Sequence, residues 1–188
     1  MKLNSTDFQR GGLSIEDSFD VASALGGAGI DLLEISGGNY AMPAMEGVAH
    51  PAGTTSGYFL DYAVELGRRV ETPLMLTGGL RTRADMEGAL ARGIDMVGIA
   101  RPMASVPDYP ARILAGEPEP TLPRDPRRTG YRPIDGYLQL AAHNDQLHRM
   151  AHGLAPKNSA GLSTAVPAIA RTGRAALRQA RTTAAEVV

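Results

Sequence analysis

The sequence has no cysteine at all. That excludes a disulfide framework, a thiol nucleophile and any zinc or iron–sulfur centre held by cysteine. It also lacks an excess of charge of either sign, with 19 Lys and Arg against 20 Asp and Glu and a formal net charge of −1. Without a basic field, neither nucleic acid nor an anionic membrane is an expected partner. No apolar run approaches the roughly 20 residues that span a bilayer. The stretch Met1-Lys2-Leu3-Asn4-Ser5-Thr6-Asp7 has no apolar region of the kind a signal peptide carries, so the expected location is the cytoplasm.

What is present is a chain of 188 residues, 43% hydrophobic, long enough to bury one sizeable core. Short apolar runs alternate with segments of helical periodicity. Ser14 followed by Asp17 forms a capping signal for a helix carrying Ile15, Phe19, Ala22 and Leu25, ended by Gly26, Gly27 and Gly29. A strand follows over Ile30–Ile35, bounded by Ser36-Gly37-Gly38. Residues from Asn39 to about Gly57 are expected to form an irregular loop. Phe59, Tyr62, Ala63, Leu66 and Val70 then repeat at helical intervals, and Thr72–Leu76 supplies the next strand before Gly78-Gly79. Thr82 and Asp85 repeat the capping pattern ahead of Met86, Ala89 and Leu90. Gly93 stops that helix, and Ile94–Ile99 is a further strand. A short helix is expected from Pro107 to about Gly116. Together with a strand stub at Lys2–Asn4, this alternation is the signature of a parallel α/β sheet.

Beyond it, the Pro-, Arg- and Asp-rich stretch from Glu117 to Pro133 is expected to be an extended connection. Tyr137, Leu140, Ala141, Asn144, Leu147 and Met150 indicate one more amphipathic helix, followed by a tail rich in Ala, Arg and Thr. The expected organisation is 1–116 as the α/β part, 117–153 as linker and helix, and 154–188 as a helical or disordered tail.

Two successive strand ends carry groups suited to phosphate. Gly78 and Gly79 have no Cβ, so the backbone can bend sharply and turn N–H groups toward an anion. Arg101, after Gly98-Ile99-Ala100, adds a permanent charge with a planar donor fork. In α/β barrels the last two strand ends frequently hold a phosphate. Three full strands and a stub fall short of a closed eight-stranded barrel, which leaves either a small open sheet or part of a barrel.

The blocks Lys2–Gly12, Asp31–Gly38, Leu76–Arg81 and Val97–Pro102 resemble, in order, successive blocks of the Old Yellow Enzyme, or NADH:flavin oxidoreductase, family. The resemblance covers residues 2 to about 116. It implies the C-terminal half of an FMN-binding (β/α)8 TIM barrel, about strands five to eight. It also implies FMN as cofactor, NAD(P)H as reductant and an activated alkene as hydride acceptor. Carried over by position, Lys2 faces the flavin N1 and C2 carbonyl, and Gly78, Gly79, Ala100 and Arg101 surround the FMN phosphate. Ser36 and Gly37 lie near the same pocket.

The family's substrate-anchoring His/Asn or His/His pair and its Tyr proton donor come from earlier strands, so no catalytic residue is carried over. On this reading the chain alone is inactive. It takes part in catalysis only where another chain provides the first strands; the alternative is a non-catalytic half barrel whose open sheet edges pair with a complementary half barrel or with a second copy of itself. Members with an added iron–sulfur centre need cysteines and are excluded. A phosphate-binding α/β protein unrelated to flavin is a further reading.

Other candidates have plainer readings. His148 and His152, four apart, are read as a solvated helix face rather than a metal site, and no metal is expected. His50 is read as a loop residue, and Arg171, Arg174, Arg178 and Arg181 as a solvated tail helix. Phe59, Tyr62, Met75, Met86 and Met96 are read as core.

Overall fold

A computed structural model describes residues 1–7, 10–37, 57, 59–122, 130, 132–157 and 170. The chain divides into two compact units, Met1–Ala100 and Arg101–Val188. His50, the four tail arginines, Gly38 and most of the connection before Gly57 lie outside the described residues.

The first unit alternates strand and helix. β1 spans Lys2–Asn4, α1 Ile15–Gly27, β2 Leu33–Ser36, α2 Leu60–Leu66, β3 Leu74–Thr77, α3 Arg83–Ala91 and β4 Met96–Gly98. All neighbouring strands are parallel, and their spatial order is β1-β2-β3-β4. Strand order that follows chain order, with a helix in each crossover, is the arrangement found in α/β barrels and other parallel sheets. Among the described residues it is a four-stranded parallel sheet.

Both capping signals are realised. Ser14 accepts from the Asp17 N–H while Asp17 accepts from the Ser14 N–H, and Thr82 and Asp85 make the same reciprocal pair. Helix α1 runs through Gly26 and Gly27, where a stop is expected from sequence, and is terminated by Gly29 with φ 86°. Gly26 is retained inside the helix because a Cβ there would lie 2.7 Å from Thr72 Oγ1. α2 stops at Leu66, short of the expected Val70, as the chain turns at Gly67.

The sheet has two unlike faces. Side chains alternate along each strand, and residues paired in register share a face. Leu33, Ile35, Leu74 and Leu76 point one way and are buried, with Leu76 at 0% exposure. Phe19 and Ala22 of α1, Ala63 and Leu66 of α2, and Met86 and Ala89 of α3 are buried with them. Lys2, Glu34, Met75 and Met96 form a row on the opposite face, with Asn4, Ser36, Thr77 and Gly98 two residues further on. Met96 is 48% exposed, which corrects the expectation that it is core: its register places it on the face away from the buried leucines.

Helices α1 and α2 are joined by an aromatic stack. The Phe19 and Tyr62 rings lie 4.9 Å apart and nearly parallel, and the Arg69 guanidinium sits 4.0 Å above Phe19. Ser18 Oγ is 2.8 Å from the Tyr62 hydroxyl and donates to backbone carbonyls of Ser5 and Ile15. Burial raises the Tyr62 pKa above its ordinary value, against the opposing pull of Ser18 and Arg69.

The second unit is helical, with α4 at Arg101–Ser105, α5 at Tyr109–Leu114 and α6 at Arg132–Ala151. α4 packs on both α5 and α6. Helix α6 begins five residues before the Tyr137 expected from periodicity, with Pro133 in its first turn, where its missing N–H costs nothing. His148 and His152 are exposed. Among the described residues no helix is long and apolar enough to cross a membrane.

Candidate functional site at the strand ends

The C-terminal ends of β2, β3 and β4 lie side by side because the strands are parallel and in register. At the end of β3 the chain enters two consecutive positive-φ positions, Gly78 at 116° and Gly79 at 77°. An L side chain at either would be strained, so this turn depends on glycine. The turn leads directly into α3, where the Asp85 carboxylate accepts from the N–H groups of both Arg81 and Thr82.

Gly98 is paired with Thr77 and has a separate reason to be glycine. A Cβ at this position would collide with Thr77 Oγ1 and Met75 Cε. Gly98→Ala is therefore expected to lower stability by about 1–3 kcal/mol, the usual cost of forcing atoms into occupied space. A denaturation midpoint that moves down, and recovers when Thr77→Ala is added, is the expected result. Loss without recovery would locate the strain elsewhere.

Ser36 is buried on the same face, and its hydroxyl donates to Asn4 Oδ1 at 3.1 Å. The Asn4 amide in turn donates to Asp7 Oδ1. Gly37 is packed closely: a Cβ there would fall 2.6 Å from the Phe59 ring and 2.8 Å from Ser5 Oγ.

Lys2 holds an ion pair that sequence reading alone does not reach. Its Nζ donates to Glu34 Oε1 at 2.8 Å, with side-chain exposures of 49% and 25%. Burial pushes the Glu34 carboxyl up, but the Lys2 ammonium and the Thr77 hydroxyl outweigh it and hold the group below the usual carboxylate range. Thr77 Oγ1 itself is buried with no hydrogen-bond partner among the described residues, so the ion pair with Lys2 is the contact that geometry supports. The signal for Glu34 was present in the alternation of Leu33-Glu34-Ile35-Ser36, which puts one acid among residues facing away from the core.

Ala100 is exposed and ends the first unit; Arg101, half-buried, opens the second as the first residue of α4. Within the first unit Lys2 and Ser36 lie on one sheet, with Gly78 and Gly79 in the turn that follows β3; Arg101 is three residues along the chain from the end of β4. Among the described residues no cluster of three or more His, Asp or Glu is arranged to hold a metal ion.

No family model matches the chain. Individual proteins do. It is 39% identical over 95 residues to an NADH-dependent flavin oxidoreductase of Talaromyces variabilis, covering 46% of this chain and 23% of that protein. A protein of the same description from Hypocrea jecorina (strain QM6a) is 40% identical over 95 residues, covering 46% and 24%. Among solved structures, a 2-naphthoyl-CoA reductase in complex with 2-naphthoyl-CoA superposes with a TM-score of 0.55 at 30% identity, over 63% of this chain and 18% of that one. The chain thus matches about a quarter or less of the length of these relatives. By sequence and by fold together, the matched part of this chain is similar to NADH-dependent flavin oxidoreductases and to a reductase of the Old Yellow Enzyme type.

Proposed function

We propose that the chain contributes the C-terminal strands of an FMN-binding (β/α)8 barrel in a reductase that uses NAD(P)H. The observation that carries this reading is the sheet itself. A lysine on β1 and the double-glycine turn after β3 belong to one parallel sheet whose polar row faces away from its helix-packed core. The residues fit such a cofactor: a turn of two positive-φ glycines suits close approach of phosphate, and the side-chain-free Gly98 leaves space that Thr77 and Met75 occupy beside it.

In this reading Gly78 and Gly79 hold the FMN phosphate through backbone N–H groups, Arg101 adds a charged fork, and Ala100 leaves the backbone accessible. Lys2 presents its ammonium to the pyrimidine edge of the flavin, with Ser36 and Gly37 bordering the pocket. FMN, when bound, supplies the hydride chemistry, taking reducing equivalents from NAD(P)H and passing them to an activated alkene. The chain's own groups anchor, orient and electrostatically tune it. Titration of the purified chain with FMN, followed by flavin fluorescence, tests the assignment. Arg101→Ala is expected to weaken binding by about tenfold or more, the worth of a charge-assisted hydrogen bond. Unchanged affinity in that variant would remove Arg101 from the site.

A second reading is favoured by the half-exposed Met96 and by the unpaired outer edges of β1 and β4 among the described strands. Parallel sheets are ordinarily covered on both faces, and free edges invite pairing. We propose that a complementary set of barrel strands, or a second copy of this chain, supplies that cover. In this reading catalytic groups for substrate come from the partner, and the chain alone is a non-catalytic half.

A further inference from the structure

Lys2 and Glu34 are register partners on adjacent strands, and Thr77 lies on the same face of the third strand. The strand that carries Thr77 is the one that ends in Gly78-Gly79, so the ion pair and the double-glycine turn share one sheet. An ion pair with these exposures contributes little to folding. Its geometric effect is larger. A lysine head on a flexible four-carbon stem samples many directions unless an acceptor fixes it. Glu34 supplies that acceptor. Thr77, on the same face, is stiff at χ1 and its hydroxyl takes the room left by the missing side chain at Gly98.

We infer that Glu34 is the positioning residue and counter-charge of the Lys2 cation. This rests on the reading of Lys2 as the group that faces the flavin. Held by Glu34, the ammonium would keep one direction toward a bound flavin, with part of its field cancelled. Removing either member then changes the local charge in opposite senses. Glu34→Gln leaves the cation uncompensated and favours negative charge on the reduced flavin, whereas Lys2→Gln disfavours it. A pair that only joined two strands would give shifts of the same sign, or none.

The test needs two readouts on the full chain. The first is independent of flavin: the rate of amine acylation at Lys2 by an N-hydroxysuccinimide ester, resolved by peptide mass spectrometry. Lys157, the chain's only other lysine, is the internal reference. Glu34→Gln is expected to accelerate acylation of Lys2 about two- to fivefold, with Lys157 unchanged and Glu34→Asp restoring most of the protection. The second is the midpoint potential of FMN bound to each variant, expected to rise in Glu34→Gln and fall in Lys2→Gln.

Unchanged Lys2 acylation in Glu34→Gln, or potentials that move in the same direction, would overturn the role of Glu34 while leaving the FMN assignment intact. A chain that takes up no FMN, yet still shows faster Lys2 acylation in Glu34→Gln, would instead overturn the flavin reading. The tuning role falls with it, and a strand-to-strand ion pair is all that remains.

Discussion

Leu76→Ala is expected to lower the free energy of unfolding by about 2–5 kcal/mol, while Met96→Ala, on the neighbouring strand, changes it by no more than about 0.5 kcal/mol. Both are large apolar residues on adjacent strands of one parallel sheet. Their difference comes from which way each side chain points. Leu76 lies beside Ile35 on the helix-covered face at 0% exposure, so truncation removes methyl groups from close packing and leaves a cavity. Met96 pairs with Met75 on the other face and is half in solvent already. Urea denaturation of the two variants measures the contrast. A large loss in Met96→Ala would mean that the polar row is covered in solution, by a partner or by a second copy. Concentration dependence of that loss would separate association from packing within one chain.

The second large effect is expected at Phe59. Phe59→Ala should cost about 3–5 kcal/mol, because the ring is 2% exposed and fills space that Gly37 leaves free. The end of β2 is therefore set by packing from beneath as well as by the Asn4–Ser36 hydrogen bond from the side. Thermal unfolding gives the stability term. If Ser36 and Gly37 border the flavin, the same variant should also lose FMN affinity at temperatures where it remains folded. Normal stability in Phe59→Ala would show that Gly37 is glycine for another reason.

The helix starts and the strand sequence were legible because their signals are local. Ser14 with Asp17 and Thr82 with Asp85 are four-residue patterns that satisfy backbone N–H groups wherever they occur, and both form capping boxes. Helix α4 was not legible. It is five residues long, begins at Arg101 and carries Pro102, so it has neither a hydroxyl cap nor enough length for periodicity. The start of α6 is not legible for a related reason, since Arg132, Pro133 and Asp135 resemble in composition the connection before them. At the site, the double-glycine turn could be found from sequence because unusual backbone demands an unusual residue. The Lys2–Glu34 pair could not. Its members are brought together only by the register of β1 with β2, and register depends on how distant segments pack.

Strand order that follows chain order also bears on how this sheet is assembled. No strand must wait for a later one to be inserted between it and its neighbour, so the sheet can lengthen one strand at a time as the chain leaves the ribosome. The entropic cost of each addition grows with the length of the loop it closes. That cost is lowest for β3 with β4, which are joined by the turn and α3 alone, and higher for β2 with β3, whose connection carries the long stretch before Phe59. The segment with the double-glycine turn is thus the one whose strands find each other most cheaply, before the rest of the sheet has formed.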